Sequence, residues 1–285
     1  MRPQFSPTQH AQQPLQQPQY GNSAVVAPMP EAKLPKLDFP SDSVDPSQYL
    51  TSGAGFYAVI GWVALGVGAI VLAAMTMGMG LIAIAAGAIG AWFAAKKARA
   101  FIRGSAIQVT EEQMPEIHAV VQEFAQRLGM SETPELYLAE DSVANGIAVK
   151  LGKKNIVILT DDAVWGALAS PNPKALGFII GHELAHIALG HTGLLRSMMR
   201  QVMRPLARLD EMSADNVAKA LVGDSKAAVQ GLALLTVGPQ LLKHLNMSAL
   251  EAQAREVAGS KLSKKAERNL THPLLLRRID NVMRD

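Results

Sequence analysis

The sequence predicts an α+β fold in which a two-helix transmembrane hairpin precedes a mainly helical domain with a small β-sheet. Three observations support this prediction. A long uncharged apolar segment lies in the first third of the chain, short β-branched runs lie in the middle, and helical patterning dominates the remainder. The chain has 285 residues, which is enough for one globular domain together with additional segments.

Residues 1–53 are rich in Gln and Pro and have no apolar periodicity. Such a composition cannot bury enough apolar surface to fold, so we predict a disordered tail. A Pro-rich segment can recruit partner proteins, but a plain tether is the favoured interpretation.

The uncharged segment predicts the membrane hairpin. No charged residue lies between Asp45 and Lys96, and about 20 apolar residues are enough to span a bilayer. We therefore expect transmembrane helices near 54–75 and 79–95, joined by a tight turn at 76–78. The alternative, a buried hairpin of a soluble domain, is disfavoured because soluble domains seldom sustain such a run.

The charges that flank the hairpin predict its orientation. Basic residues follow the second helix at Lys96, Lys97, Arg99 and Arg103, whereas the connecting turn carries no charge. By the positive-inside bias, both ends of the hairpin face the cytoplasm. The prediction is a multi-pass protein of the cell (inner) membrane whose globular domain, 96–285, lies in the cytoplasm.

Between residues 112 and 191, the predicted elements alternate between helix and strand. They are an amphipathic helix over 112–129, strands over 135–138, 145–149 and 155–160, a helix capped by Asp161 or Asp162, and a helix from Pro173 through His191. Beyond Thr192 nearly every segment has helical periodicity, including a core helix over 227–242. The short strands therefore predict one small sheet.

The segment 192–208 carries four arginines at four-residue spacing beside a Met-rich apolar surface. Such a helix could lie on an anionic membrane face, or it could present a solvated basic face over a core. The sequence leaves these two alternatives open. Pro205 should kink or divide the helix.

The segment Gly181–His186 contains the pattern His-Glu-x-x-His within a run that is apolar and helical. His182 and His186 are one turn apart on one face, so both imidazoles can reach a single zinc ion. Glu183 is then placed to take a proton from a water on that zinc. The alternative is a pair of core histidines with hydrogen-bond partners, but a metal gives these buried polar groups a partner.

A zinc site of this kind needs a third protein ligand. The candidates are His191, Glu211 and Asp215, and Glu211 is favoured. Glu211 and Asp215 share a helix face, so one can bind the metal while the other orients a ligand His. The chain has no Cys, which excludes disulfides and thiolate ligands. Two His, one carboxylate and an open position indicate Zn2+ as the cofactor.

The order of these motifs resembles that of the gluzincins that include HtpX-like membrane proteases and CAAX prenyl endoproteases. The family pattern is H-E-x-x-H with a further His nine positions after the first, then E-x-x-x-D, then a late His-Pro before an Arg. The matching residues are His182, Glu183, His186 and His191, then Glu211 and Asp215, then Thr271–Pro273 with Arg278. Upstream, Asn145–Ala148 resembles the family strand Asn-Ala-Phe-Ala. The likeness covers roughly residues 110–285.

The resemblance implies a zincin metalloprotease domain and a role for each matching residue. Its implications are His182, His186 and Glu211 as zinc ligands, Glu183 as general base, Asp215 as the partner of a ligand His, His272 as a catalytic oxyanion stabiliser, Arg278 as an ion-pair partner and Asn145 as a substrate-binding residue. The chain departs from the pattern at Gly146 and Ile147, which replace Ala-Phe. The many more membrane helices of the CAAX endoproteases disfavour a prenyl-peptide substrate.

The expected function is that of a membrane-anchored zinc metalloendopeptidase acting on unfolded or membrane-associated polypeptides. The alternatives are a catalytically silent membrane scaffold or chaperone that keeps the fold, and a membrane transport component with a chance motif. The expected partners are a polypeptide substrate and the lipid bilayer, and self-association is left open. Nucleic acid is not expected, because the net charge is +3 and no basic run is interleaved with aromatic residues.

Overall fold

Helices make up most of the described chain, which comprises residues 34–140 and 145–284 of this computed structural model. The helices are α1 Ala54–Met75, α2 Met79–Ser105, α3 Pro115–Arg127, α4 Asp161–Leu168, α5 Ala175–Ala188, α6 Leu194–Val202, α7 Arg204–Val222, α8 Ser225–Leu242, α9 Met247–Gly259, α10 Lys261–Ala266 and α11 Leu275–Met283. The strands are β1 Ile107–Val109, β2 Glu135–Ala139, β3 Gly146–Leu151 and β4 Lys154–Thr160. The predicted α+β class, with two apolar helices before a mainly helical domain and a small sheet, is confirmed.

The two apolar helices form a hairpin. Each is long and apolar enough to cross a membrane, and only a small part of either is buried against protein. The turn between them uses Gly78 at φ +87°, a conformation that glycine adopts without strain. Helix α2 runs past its predicted end at residue 95 to Ser105, because the Ala, Lys and Arg residues that follow are good helix formers.

Residues 34–53 correct the predicted disorder of 1–53, while residues 1–33 lie outside the described chain. Phe39 packs edge-on against Phe124 with ring centroids 4.8 Å apart, and Val44 is buried in the core. The backbone N–H of Val44 donates to the carbonyl of Arg127 at 2.9 Å. Scattered apolar residues therefore fasten this segment to the domain, although they show no helix or strand period.

The sheet has the order β1-β2-β4-β3. β1 is antiparallel to β2, β2 is parallel to β4, and β3 is antiparallel to β4, so β3 is an edge strand. Three strands were predicted, and the three-residue β1 is the additional one. Thr160, rather than Asp161 or Asp162, caps α4 by accepting a hydrogen bond from the Ala163 N–H.

Helix α5 passes through the centre of the domain, and its first twelve residues are all buried. It packs against α7, α8 and β3. Gly181 allows a close approach, since a Cβ there would lie 3.3 Å from the Ala218 backbone on α7. The helix ends at Ala188, before the predicted end at His191, because Gly190 takes a φ of +73°. The predicted break at Pro205 separates α6 from α7.

Candidate metal centre

Helices α5 and α7 bring three ligand atoms together. His182 Nε2 lies 3.2 Å from His186 Nε2, and the Glu211 carboxylate oxygens lie 3.6 Å and 3.3 Å from these two nitrogens. All three side chains are buried. Two ligand atoms at about 2.0–2.1 Å from a tetrahedral zinc are about 3.3 Å apart, so both the donor types and their spacing fit zinc.

The second nitrogen of His182 faces a carboxylate. His182 Nδ1 lies 2.9 Å from Asp215 Oδ1, and Arg278 donates two hydrogen bonds to the same carboxylate at 2.7 Å and 2.8 Å. Burial opposes the charge of Asp215, but Arg278 and His182 hold its pKa below the ordinary value. This carboxylate therefore orients the His182 ring with Nε2 towards the other two ligands.

The second nitrogen of His186 has a different partner. His186 Nδ1 lies 2.9 Å from His191 Nδ1, and His191 Nε2 lies 3.4 Å from Asp210 Oδ1. Burial lowers the pKa of His186 to about 4 and that of His191 to about 2, so both rings are neutral. If His186 binds a metal through Nε2, its Nδ1–H must donate to His191, whose own Nε2–H then points to Asp210.

Asp210 forms a closed ionic cluster beside the three ligands. Arg196 donates to both of its oxygens at 2.7 Å and 3.3 Å, and Arg200 Nε lies 3.6 Å from it. Arg200 also donates to Glu211 at 2.6 Å. Asp210, Arg196 and Arg200 were absent from the predicted site. The four-residue spacing of the arginines was the available signal, but it did not show that this face points inwards.

Glu183 is buried next to the edge strand. Burial is the main cause that raises its pKa to about 7, and a backbone hydrogen bond from Ala148 opposes the shift. A Cβ on residue 146 would lie 2.9 Å from Glu183 Oε1 and 3.2 Å from its Cγ. Gly146 therefore lets β3 approach the carboxylate closely, which gives the departure from the family pattern at this position a local steric reason.

A cleft of about 440 Å³ opens over these groups. Its lining includes Glu183, the three ligand residues, Arg278, Asn145 and His272. His272 Nδ1 lies 3.1 Å from Glu211 Oε2, while 65% of the His272 side chain is exposed to solvent. The Asn145 side-chain oxygen accepts the Gly146 N–H at 2.8 Å, so it fixes the start of β3.

The structure thus brings together every residue that the sequence predicted for the site. Seven of them line the cleft, and Asp215 lies behind His182. His191, one of the three candidates for the third ligand, contacts the outer nitrogen of His186 instead.

Comparison with known proteins gives the following matches. Residues 111–204 match peptidase family M48. A "Protease HtpX homolog" of Bifidobacterium longum is 23% identical over 195 residues, which are 52% of this chain and 62% of that protein. A homologue of the same name from Streptococcus gordonii is 32% identical over 80 residues, covering 28% of this chain and 26% of the relative. Another, from an Arthrobacter species, is 24% identical over 234 residues, covering 66% of this chain and 79% of the relative. The chain thus spans less than two thirds of the length of the first two relatives. No solved structure matches the chain.

Proposed function

We propose that the chain is a membrane-anchored zinc metalloendopeptidase, because residues 111–204 match peptidase family M48 and the chain is similar to proteins named HtpX homologues. The observation that carries the proposal is the convergence of His182, His186 and Glu211 at zinc-ligand spacing in a cleft that also holds Glu183. The M48 match contains both histidines and Glu183, and it ends before Glu211.

The chemistry follows from what each residue can do in this cleft. When bound, zinc supplies a Lewis acid that polarises a peptide carbonyl and acidifies water. Glu183 takes the proton of the attacking water and passes it to the leaving amine, a role that its raised pKa of about 7 suits. His272 borders the same space with its ring largely exposed, so it can donate a hydrogen bond to the carbonyl oxygen as negative charge develops there.

The edge strand β3 provides a surface for substrate binding. It begins at Asn145 and Gly146 on the wall of the cleft, beside Glu183, and it pairs with β4 on one side only. An extended peptide can add to such an edge through main-chain hydrogen bonds. Because these bonds do not involve side chains, such binding would depend little on the peptide sequence. Unfolded segments are the substrates that can adopt this extended form.

The hairpin of α1 and α2 supports a membrane location for this activity. We propose that both helices span the bilayer and that the domain faces the cytoplasm, because Lys96, Lys97, Arg99 and Arg103 end the second span. The substrates are accordingly unfolded or membrane-associated polypeptides.

The test compares the zinc-loaded full chain with its Glu183→Gln variant on an unfolded protein substrate in detergent or vesicles. We expect the variant to keep one zinc per chain, since Glu183 is not a ligand, and to lose about 10²–10⁴-fold in cleavage rate. Glu256→Gln, the same change at an exposed position of α9, is the matched control and should cleave normally. Equal cleavage by the Glu183 variant would reject this mechanism. Zinc binding without any cleavage, on several unfolded substrates, would instead favour the silent scaffold or chaperone.

A further inference from the structure

Helix α6 has an unusual distribution of side chains for a helix at a water-exposed surface. Its outer face carries Leu194, Leu195, Met198 and Val202, all exposed, with Val202 83% exposed, and the exposed Gln201 borders them. Its arginines point the other way, where Arg196 and Arg200 reach the Asp210 and Glu211 carboxylates. A helix in contact with water normally turns its charged residues outwards and its apolar residues inwards.

The inner face of α6 contacts the first membrane helix. A Cβ on Gly61 of α1 would lie 2.4 Å from Met199 Cε and 3.0 Å from Met203 Sδ. Met199 is itself buried. Helix α1 therefore contacts α6 and the residue that follows it at Gly61, where only a hydrogen atom separates the α1 backbone from the two methionines.

The level of this contact along the hairpin can be compared with the span of the membrane. The uncharged part of α2, residues 79–95, is about 26 Å long at 1.5 Å per residue, close to the roughly 30 Å thickness of a bilayer core. The same number of residues counted back from Met75, the end of α1, reaches Val59. Gly61 lies within one turn of that level, so α6 meets α1 where the hydrocarbon region ends.

We propose that the outer face of α6 lies in the surface of the bilayer that holds the hairpin, with its four apolar side chains among the acyl chains beneath the headgroups. This inference rests on the membrane anchor of the proposed function. The surface fits lipid because it is apolar, exposed and continuous with α1 at the membrane boundary. Arg196 and Arg200 of the basic stripe face carboxylates of the protein, which neither of the two alternatives for the stripe expected.

The contacts of the arginines indicate which kind of lipid α6 should bind. Arg196 and Arg200 are held by carboxylates, and Arg208 donates to the backbone carbonyls of Arg268 and Leu270. Arg204 likewise donates to the carbonyl of Asn269. These four cations are engaged within the protein, so apolar burial rather than attraction to anionic headgroups should hold α6 on the membrane.

Because the chain has no Cys, single cysteines can carry an environment-sensitive fluorophore in the full-length protein. We would place the fluorophore in turn at Val202→Cys, at Ile70→Cys in the hairpin (70% exposed) and at Leu262→Cys on α10 (79% exposed). The protein is reconstituted into phosphatidylcholine vesicles with and without phosphatidylglycerol. Fluorescence is quenched either by doxyl groups on the lipid chains or by iodide in water.

We expect Val202 to lose fluorescence to the lipid quencher nearly as Ile70 does, and Leu262 to respond to iodide alone. The loss at Val202 should be the same with and without anionic lipid. Iodide quenching of Val202 equal to that of Leu262, with Ile70 still quenched by lipid, would overturn the α6 proposal and leave the anchor intact. A Val202 response that requires anionic lipid would overturn the apolar-burial argument. If Ile70 also failed to respond to lipid, the anchor would be wrong, and the α6 proposal with it. Protease activity is measured separately and is independent of these outcomes.

Discussion

Asp210 and Glu211 are consecutive residues of α7, yet their carboxylates have opposite surroundings. Asp210 is enclosed by Arg196, Arg200 and His191 and has no exposed surface. Glu211 also binds Arg200, but it faces the Nε2 atoms of His186 and His182 across gaps of 3.3 Å and 3.6 Å and borders the cleft. One step along the helix turns a side chain by about 100°, and this rotation separates the two environments.

The comparison shows that the residue types alone do not make a metal site. Both carboxylates have a histidine nearby and both contact Arg200, but Asp210 also binds Arg196 and does not border the cleft. Around Glu211, the two imidazoles turn their Nε2 atoms towards the carboxylate at distances that one zinc ion can bridge. The adjacent cluster holds Arg200 and His191, which in turn contact Glu211 and His186.

The largest effect should come from a change to Asp210, the enclosed carboxylate. Asp210→Asn leaves Arg196 without its carboxylate and Arg200 with Glu211 alone, and we expect a loss of about 3 kcal/mol in the free energy of unfolding. This value is at the lower end for a broken buried pair, because both arginines keep some contact with solvent. Denaturant unfolding in detergent measures the loss, and zinc content should stay at one per chain.

Glu132→Gln is the control for that measurement. It makes the same carboxylate-to-amide change in the Glu132–Lys154 pair, in which both side chains are exposed. A surface pair contributes about 0–1 kcal/mol, so this variant should unfold nearly as the unmodified protein does. Equal losses in the two variants, or loss of zinc on changing Asp210, would remove the distinction between the two carboxylates.

A second change tests the cleft that Glu211 borders, without altering a ligand residue. Gly146→Ala places a Cβ within 2.9 Å of Glu183 Oε1 and 3.0 Å of Leu159 Cδ2, so the general base must shift. A displacement of about 1 Å costs about 100-fold in rate. Steady-state proteolysis should show this loss with zinc content unchanged. Gly104→Ala, on α2 where a Cβ meets nothing within 4 Å, should keep full activity.

The partner of His182 should have the next largest effect. Asp215→Asn removes the charge that faces His182 Nδ1, and we expect zinc affinity to fall by about 10–100-fold. Competition with a chelator measures the affinity, and circular dichroism verifies that the variant is folded. Unchanged affinity in a folded variant would show that Arg278, rather than the ligand histidine, is the main partner of this carboxylate.

The smallest effect is expected at His191, the neutral partner of His186. His191→Phe removes the acceptor for His186 Nδ1–H, and zinc affinity should fall by about tenfold, the lower end of the range for such partners. His191→Gln, which restores an acceptor oxygen, should recover part of the loss. A loss at His191 greater than that at Asp215 would reverse the proposed order of the two partners.

Much of this arrangement could be predicted from the sequence, because it depends on local spacing. The His182–His186 spacing places two imidazoles on one helix face, and the uncharged segment places two helices with a turn at Gly78. Motif order then identified Glu211, His272 and Arg278, which no local spacing joins to α5.

Other features could not be predicted, since they depend on contacts distant in sequence. The arginine stripe of α6 has the same pattern whether it meets water, lipid or carboxylates, and only the position of Asp210 on α7 decides between these. Residues 34–53 show no period, yet Phe39 and Val44 bind them to the core. The strand β1 is too short for a pattern to indicate it.

Both ends of the hairpin are fastened to the domain. Before α1, the Thr51 N–H donates to Ser213 Oγ on α7 at 2.9 Å. In the last part of α2, Arg99 binds Glu135 of β2 at 2.5 Å, and a single residue, Ala106, separates α2 from β1. A domain on a flexible linker samples a wide volume. Here, contacts hold both ends of the hairpin directly against the domain. With the hairpin in the bilayer as proposed, the cleft would keep a constant height above it. For the proposed protease, reach would act as the first filter on substrates, since only chain segments that emerge from the membrane or settle on it come within range.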